Sequence, residues 1–543
     1  MNGTEPTSPR APRPQWWMLP TVLALHAGLA TYYAFLLPLW GAVPDEPIHY
    51  SHVKYVAENW RLPVINDPFR DLKEYYFVAD PAGAAQHGPT YYWSAAVVYK
   101  LTGGLTLRQQ QWALRLYSVL LGGLMVWVAW LCFRLLFADE PLVAFTATLL
   151  LTLMPHRLLV CAVIYADAMA VMTSTLAIWG IVRATLRDDT ARGWALAGLL
   201  LGAAMLTKTS AVLILPLTAV VLFARWRQGA QSAGGGAARL AGYLGATLLV
   251  SGWWLLRSLR LYGELFPTEP KPPGFGWMDV IFDPLFPYVW WMATRGYWLS
   301  LWSQVGWLPD WAAVPVYGLL MALTAVTLYG LVVGVRGRYR SRSDGHIALL
   351  AGFAVTGLAM YYAALQRTIL VSFHSNEQTG KHGQTVLVAL IALAAASWRH
   401  LVGPRRLVTV LGGAALLMAV FNGLSVYNLQ TDLIPRFAPT DPMWGAEDLA
   451  GWKVKDLPAR GIPWVQDRPD APNRYLIHDQ QSYQPPPDDG AHRLSQAQPH
   501  PDQQQQHQPH HRHEDIPPPG VKLHVHGPVG PLVPEEHQSQ RQA

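Results

Sequence analysis

The sequence predicts an all-α polytopic membrane protein of about eleven transmembrane helices, with a first outer loop that carries amphipathic juxtamembrane helices. Three observations carry this prediction. Apolar segments recur from residue 16 to residue 427, each near the ~20 residues that a bilayer-spanning helix needs. Hydrophobic residues make up 51% of the 543 positions and charged residues only 14%, with 24 tryptophans. The arginines gather in loops beside the apolar runs, where they orient a membrane protein, so the formal charge of +6 points to no nucleic-acid partner.

The elements come in this order. Residues 1–15 form a cytoplasmic tail with no small-residue cleavage site, so 16–39 reads as a retained first span and not as a cleaved signal. Further spans are expected at 112–133, 141–157, 167–182, 193–207, 209–224, 239–257, 312–335, 346–366, 384–398 and 406–427. Pro89–Leu101 is apolar but short, rich in aromatics, and ends near Lys100. Its status decides the orientation of everything after it. If it does not span, Arg134, the Arg183/Arg187/Arg192 group, Arg225/Arg227/Arg239, Arg336/Arg338/Arg340/Arg342 and Arg399/Arg405/Arg406 all fall inside. If it spans, all five clusters fall outside. Pro89–Leu101 is therefore placed as a juxtamembrane or re-entrant helix on the outer side.

The same parity puts loop 40–111, the turn 156–167, the Thr207-Lys208-Thr209 turn, loops 258–311 and 367–383, and the tail from 428 on the outer face. In the first of these, Val53, Val56, Ala57 and Trp60 recur at helical spacing, so 47–60 reads as an amphipathic surface helix. Loop 258–311, rich in Trp, Pro and Gly, suits an ordered interfacial cap or simple aromatic anchoring. Residues 16–427 form one membrane domain, 428–483 an extracytoplasmic segment, and 484–543 a disordered tail rich in His, Gln and Pro. The tail histidines fit no defined metal spacing. Cys132 and Cys161 fall near opposite membrane faces, which argues against a disulfide between them.

Every residue that could carry chemistry lies at an outer helix end. Asp45 and Glu46 are adjacent acids just past the first span; one reads as a general base, its neighbour as a group holding a cation or a sugar hydroxyl. A solvated loop start is the plainer reading. Asp167, among Tyr, Ala and Met, is an acid at a span end. It reads as a functional acid or as an N-cap, and with Asp45 it could share a divalent ion on a phosphate. Lys208, between two apolar runs, is a point charge for a phosphate or a snorkelling lysine. Arg257 and His87 are further phosphate-end candidates, and Lys381 and His382 lie near the outer start of 384–398. No strand-to-helix phosphate loop, His-Glu-x-x-His pair or Cys-x-x-Cys pair is present, so no nucleotide cofactor is expected.

In combination these residues look familiar. Asp45-Glu46 with His49-Tyr50, Tyr55-Val56-Ala57-Glu58-Asn59 and Arg61-Leu62-Pro63 resembles the first outer loop of GT-C-type glycosyltransferases, the group that includes protein O-mannosyltransferases and lipid A aminoarabinose transferases. His87 through Trp93 is similar to their Pro-Pro-Leu-Tyr-Tyr segment, with Gly88-Pro89 for Pro-Pro and Thr90 for Leu. Asp167-Ala168-Met169-Ala170 resembles their second acidic motif, and Leu206-Thr207-Lys208 their Leu-Thr-Lys turn. Gly252-Trp253-Trp254 with Arg257 and Leu261-Tyr262-Gly263-Glu264 resembles a helix end common in bacterial members. The family's Gly-Arg-Tyr near a late helix is absent, the nearest stretch being Lys381-His382-Gly383-Gln384.

The resemblance covers about residues 16–400. It implies a polyprenyl-phosphate-linked sugar as donor and a lipid, glycan or protein as acceptor. It implies Asp45 as catalytic base, Asp167 and Glu46 as metal or donor-contacting groups, and Lys208 as a phosphate contact. A bacterial cytoplasmic membrane is the implied location. A transporter or lipid flippase, or a non-catalytic relative, stays open at this stage; convergence of Asp45, Asp167 and Lys208 discriminates among them.

Overall fold

The computed structural model describes residues 15–38, 45–64, 85–229, 232–267, 282, 286–303, 306–335, 344–371 and 379–437. The expectations for 1–14, for the middle of loops 40–111, 258–311 and 367–383, for Arg336 to Arg342, and for the tail from 438 lie outside these residues.

Among the described residues the structure is helical, with no strand. In chain order the helices are α1 (Met18–Leu36), α2 (Glu46–Asn59), α3 (Pro89–Leu101), α4 (Leu107–Leu136), α5 (Pro141–Thr152), α6 (Pro155–Val160), α7 (Ala166–Leu186) and α8 (Ala191–Thr207). A 3₁₀ segment, Thr209–Ile214, leads into α9 (Leu215–Arg227). Then come α10 (Ala233–Tyr262), α11 (Phe286–Trp302), α12 (Asp310–Val335) and α13 (Asp344–Val371). A second 3₁₀ segment, Thr379–Val386, precedes α14 (Leu387–Asn428), and a π turn joins it to α15 (Ile434–Phe437).

Seven of the described helices are long and apolar enough to cross a membrane, and Pro141–Thr152 and Ala191–Thr207 are shorter apolar ones. Large apolar side chains stay exposed along α1, α4, α10, α12 and α13, as lipid-facing surfaces require. The protein is an integral membrane protein. The expected spans do not map one to one onto helices. Span 141–157 breaks after Thr152, because Pro155 cannot continue a helix and restarts it as α6. Segments 384–398 and 406–427 both lie in α14, which is two helices joined across a kink, as the separate spans expect. At ~1.5 Å per residue it would be twice a bilayer's thickness if straight. It is bent at Gly403, whose φ of 79° only glycine adopts readily, before Pro404. Loop 258–311 contains a helix, α11. Helix α3, at 13 residues, is too short to cross the ~30 Å apolar core.

Polar contacts tie the bundle at two ends. At one, Asp189 accepts from Arg225 Nη2 (2.7 Å) and Arg239 Nε (2.8 Å), and Glu140 pairs with Arg399 (2.6 Å). These arginines belong to the clusters that parity placed together. At the other end, Arg115 of α4 is fully buried. Its Nε and Nη2 donate to the two oxygens of Glu46 at 2.8 and 2.7 Å. Its Nη1 reaches the carbonyls of Ala34 and Leu37, and Nη2 that of Pro38. One guanidinium thus fixes the end of α1, the start of α2 and α4. Helix α7, 21 residues or ~30 Å long, separates this end from the Asp189 end. Within the bundle, α10 lies on α8, where Thr247 donates to the Gly198 carbonyl (3.1 Å). Cys132 and Cys161 are buried and free.

Replacing Glu46 with alanine strands a buried guanidinium, which costs about 3–5 kcal/mol. The expected outcome is a large fall in the thermal unfolding midpoint of the detergent-purified protein. Asp45→Asn, at the neighbouring position, is expected to leave that midpoint nearly unchanged.

Candidate active site

Two acids begin two helices at the Arg115 end, and neither caps its helix. Asp45 stands at the N-cap position of α2 with no side-chain hydrogen bond to that helix. For Asp167 an N-cap was one of the two readings; Tyr165 takes that position, and Asp167 falls in the first turn of α7. A capping Asp contributes ~1 kcal/mol to a helix. Both carboxylates are spent on lysines instead. Asp45 Oδ2 accepts from Lys381 Nζ (2.5 Å) and from the Tyr165 hydroxyl (2.6 Å). Asp167 Oδ1 accepts from Lys208 Nζ at 2.5 Å.

Four chain segments bring these groups together. Tyr165 precedes Asp167 by two residues and reaches back to Asp45. Lys208 sits where α8 ends and the 3₁₀ segment starts. Helix α3 packs against that point: Thr90 donates to the Leu206 carbonyl (3.0 Å), and a Cβ at Gly88 would overlap the same carbonyl. This explains why glycine stands where the resembled motif has proline. Lys381 comes from the second 3₁₀ segment, which α11 holds in place. Gly380 N donates to Ser300 Oγ (2.8 Å) and Gln384 Nε2 to the Leu301 carbonyl (2.8 Å).

His49 of α2 lies within electrostatic reach of Asp45, Asp167, Lys208 and Lys381. Its Nδ1 is 2.7 Å from the Tyr92 hydroxyl, its ring meets Tyr165 edge-on at 4.6 Å, and it stacks on His87 at 5.7 Å. Burial pushes the His49 imidazole down from 6.5 to about 4, against the pull of the two carboxylates. It is neutral at pH 7. Burial would raise the Asp45 carboxyl, but the Lys381 ammonium and the hydrogen bonds from Lys381 and Tyr165 outweigh that and hold it well below the usual carboxylate range.

The three acid–base pairs differ in exposure. Side-chain exposure is 0% for both partners of Glu46–Arg115, 2% and 8% for Asp167–Lys208, and 36% and 29% for Asp45–Lys381. The site therefore grades from a sealed anchor to a water-facing pair. Glu46 was expected as a metal or donor contact. Its oxygens are taken by Arg115 and by the Ile164 N–H (3.0 Å), so it anchors the site instead.

Each of the two other carboxylates holds a lysine ammonium, so a divalent ion shared between them would have to displace Lys208 and Lys381. No group of three or more His, Cys, Asp or Glu among the described residues is placed to hold a metal. His87 joins the cluster through His49. Arg257 lies over the Trp254 ring, 4.9 Å from its centre, on the last turns of α10, and no contact with the Asp45 cluster is seen. Sequence reasoning passed over Arg115, Tyr165 and the His49–Tyr92 pair. Arg115 had a signal, an ionisable residue inside an apolar span; Tyr165 and Tyr92 had none beyond their neighbours.

Two outcomes are expected from this packing. Gly88→Ala forces α3 off the Leu206 carbonyl, and the expected cost is about 1–3 kcal/mol, read as a lowered unfolding midpoint. For His49, the folded state resists the proton that the unfolded chain accepts. Stability is therefore full above pH 6.5 and is expected to decline as pH falls from 6.5 towards about 4. Unfolding midpoints across that window should flatten in His49→Asn.

Residues 86–254 match the family model described as dolichyl-phosphate-mannose-protein mannosyltransferase. No individual curated protein matches the chain. Among solved structures, the chain is similar to ArnT from Cupriavidus metallidurans bound to undecaprenyl phosphate, at 15% identity and a TM-score of 0.43, over 81% of this chain and 77% of that one. It is also similar to the Archaeoglobus fulgidus oligosaccharyltransferase in complex with Zn and sulfate, at 16% identity and a TM-score of 0.45, over 86% of this chain and 57% of that one. Likenesses at these scores assign no role to any residue. The family match stands by itself: the segment that supplies His87, Asp167 and Lys208 is similar to this mannosyltransferase family, and Asp45 and Lys381 lie outside the matched residues.

Proposed function

We propose that the chain transfers a sugar, with inversion, from a polyprenyl-phosphate donor to a lipid, glycan or protein acceptor at the extracytoplasmic face of a bacterial cytoplasmic membrane, with Asp45 as base. The observation that carries this is the gathering of Asp45–Lys381 and Asp167–Lys208 around a neutral His49 at one end of the bundle, from four separate chain segments. Parity of the arginine loops supports an outer location for that end and a cytoplasmic N-terminus.

The chemistry needs an anion site for the donor phosphate and a proton acceptor for the incoming nucleophile. An acceptor hydroxyl or amine attacks the anomeric carbon of the sugar from the face opposite the phosphate. The bond between that carbon and the phosphate oxygen breaks, and the lipid phosphate leaves with the electron pair. Lys208 opposes the charge that develops on the phosphate. The acceptor's proton passes to Asp45, which is ionised and held in line by Tyr165. His87 and Lys381 border the phosphate end; Arg257 is a more distant candidate. Glu46 stays with Arg115 and keeps α2 in register beneath Asp45.

The test is turnover of a polyprenyl-phosphate sugar by purified protein. Asp45→Asn is expected to lower kcat by about 10²–10⁴-fold, the range of a general base, with an unchanged unfolding midpoint. Lys208→Met is expected to lower kcat/KM for the donor at least about tenfold. Unchanged turnover in Asp45→Asn removes the base assignment.

A further inference from the structure

The Asp45–Lys381 contact poses a difficulty for the proposed base. A carboxylate that already accepts an ammonium at 2.5 Å and a phenol at 2.6 Å on one oxygen is a poor proton acceptor. Departure of the ammonium would restore the basicity that Asp45 needs to take a proton. The structure shows which pairs resist parting. Glu46 and Arg115 are sealed from water, and Asp167 and Lys208 nearly so, whereas Asp45 and Lys381 are each about a third exposed. A partly exposed pair of single-point contacts exchanges partners more readily than a buried bidentate one.

The backbone around Lys381 is held, not loose. The 3₁₀ segment is clamped to α11 through Gly380 and Gln384, so exchange falls to the lysine side chain. That side chain is long and flexible and carries a compact charge, so it can swing between two anions without moving its backbone. It also lies over the Tyr165 ring, 5.6 Å from the centre, an apolar surface along which an ammonium keeps a favourable contact.

We propose that Lys381 is a positioning residue that latches Asp45 in the resting site, and that an anionic lipid phosphate draws it off, so that donor binding frees the base. This rests on the glycosyl-transfer reading and adds an order of events to it. The phosphate is then flanked by two ammonium groups, Lys208 and Lys381. Asp45 keeps Tyr165 as an orienting donor while its other contact opens to the acceptor. Without donor, the base stays masked against bulk acceptors.

The charged and titratable groups around the swing are set by the packing. They are His49 from α2, Tyr92 from α3, His156 from α6, Tyr165 and Asp167 at the start of α7, Lys208 at the end of α8, and His382 beside Lys381. Asp167 already holds Lys208 and competes weakly for a second cation.

The experiment is a binding measurement, independent of turnover. The probe is a short-chain isoprenyl phosphate monoester, titrated calorimetrically into the full-length protein in detergent, with inorganic phosphate as a second probe. Lys381→Met is expected to weaken isoprenyl phosphate at least about tenfold. Asp45→Asn is expected to tighten it severalfold, because it removes the anion that competes for Lys381. In the Asp45→Asn/Lys381→Met double variant that gain is expected to vanish, while in Asp45→Asn/Lys208→Met it persists. Stronger binding of isoprenyl phosphate than of inorganic phosphate assigns the ligand as lipid-borne. Binding by the wild type with no tightening in Asp45→Asn overturns the latch and leaves the glycosyltransferase reading standing. No binding of isoprenyl phosphate by any variant overturns the donor reading itself, and the latch with it.

Discussion

A buried guanidinium governs the geometry of the site. Arg115 is removed from water, and a cation so placed must satisfy its donors within the protein or destabilise the fold. It does so with both oxygens of Glu46 and three carbonyls at the end of α1. Those contacts leave α2 one place to start. Asp45, the residue before Glu46, is thereby brought to this end of the bundle, where Lys381 and Tyr165 hold its carboxylate. The adjacent acids that open α2 thus differ in what they do: the buried one sets position and the partly exposed one pairs with Lys381.

The same logic grades the cluster outward. Glu46–Arg115 is sealed, Asp167–Lys208 is buried but sits at a helix junction, and Asp45–Lys381 meets water. Ion pairs gain strength and lose mobility with depth, because the medium around them screens less and offers fewer alternative partners. Rigid support below and exchangeable contacts above are what a site needs if it must hold shape while binding a charged ligand. The Gly88 contact serves the support. By letting α3 touch the Leu206 carbonyl, it ties the turn that presents Lys208 to the segment that presents His87 and Tyr92.

Much of this was legible in the sequence, for identifiable reasons. Arginine loops have a sign, so parity could place Asp45, Asp167 and Lys208 at one end although they lie far apart in the chain. Adjacent acids after a span, and a lone lysine between apolar runs, stand out because charge at a membrane is costly. What stayed hidden was pairing. Nothing in Asp45-Glu46 says which acid is buried, since that depends on Arg115, 69 residues away. Nothing marks Lys381 as the partner of Asp45, 336 residues distant. One expected span was misread for a local reason: the proline at 155 divides 141–157, whereas the break at Gly403 falls between two segments that the sequence already separates. Apolar composition does not register the break before Pro155.

The charge count of the cluster fits the transfer it is proposed to perform. At rest, two carboxylates face two ammonium groups, with His49 neutral between them. A sugar-phosphate diester brings one negative charge, and the lipid phosphate monoester left after transfer carries up to two. The proton taken from the acceptor neutralises Asp45 as that second charge appears. One unit of negative charge thus moves from carboxylate to phosphate, and the total in the cavity is conserved through the step. A transfer that only relocates charge between fixed cations needs little solvent reorganisation, which is where a preorganised polar site gains most over water. Each ammonium is a single charge on a flexible stem and can track the migrating charge.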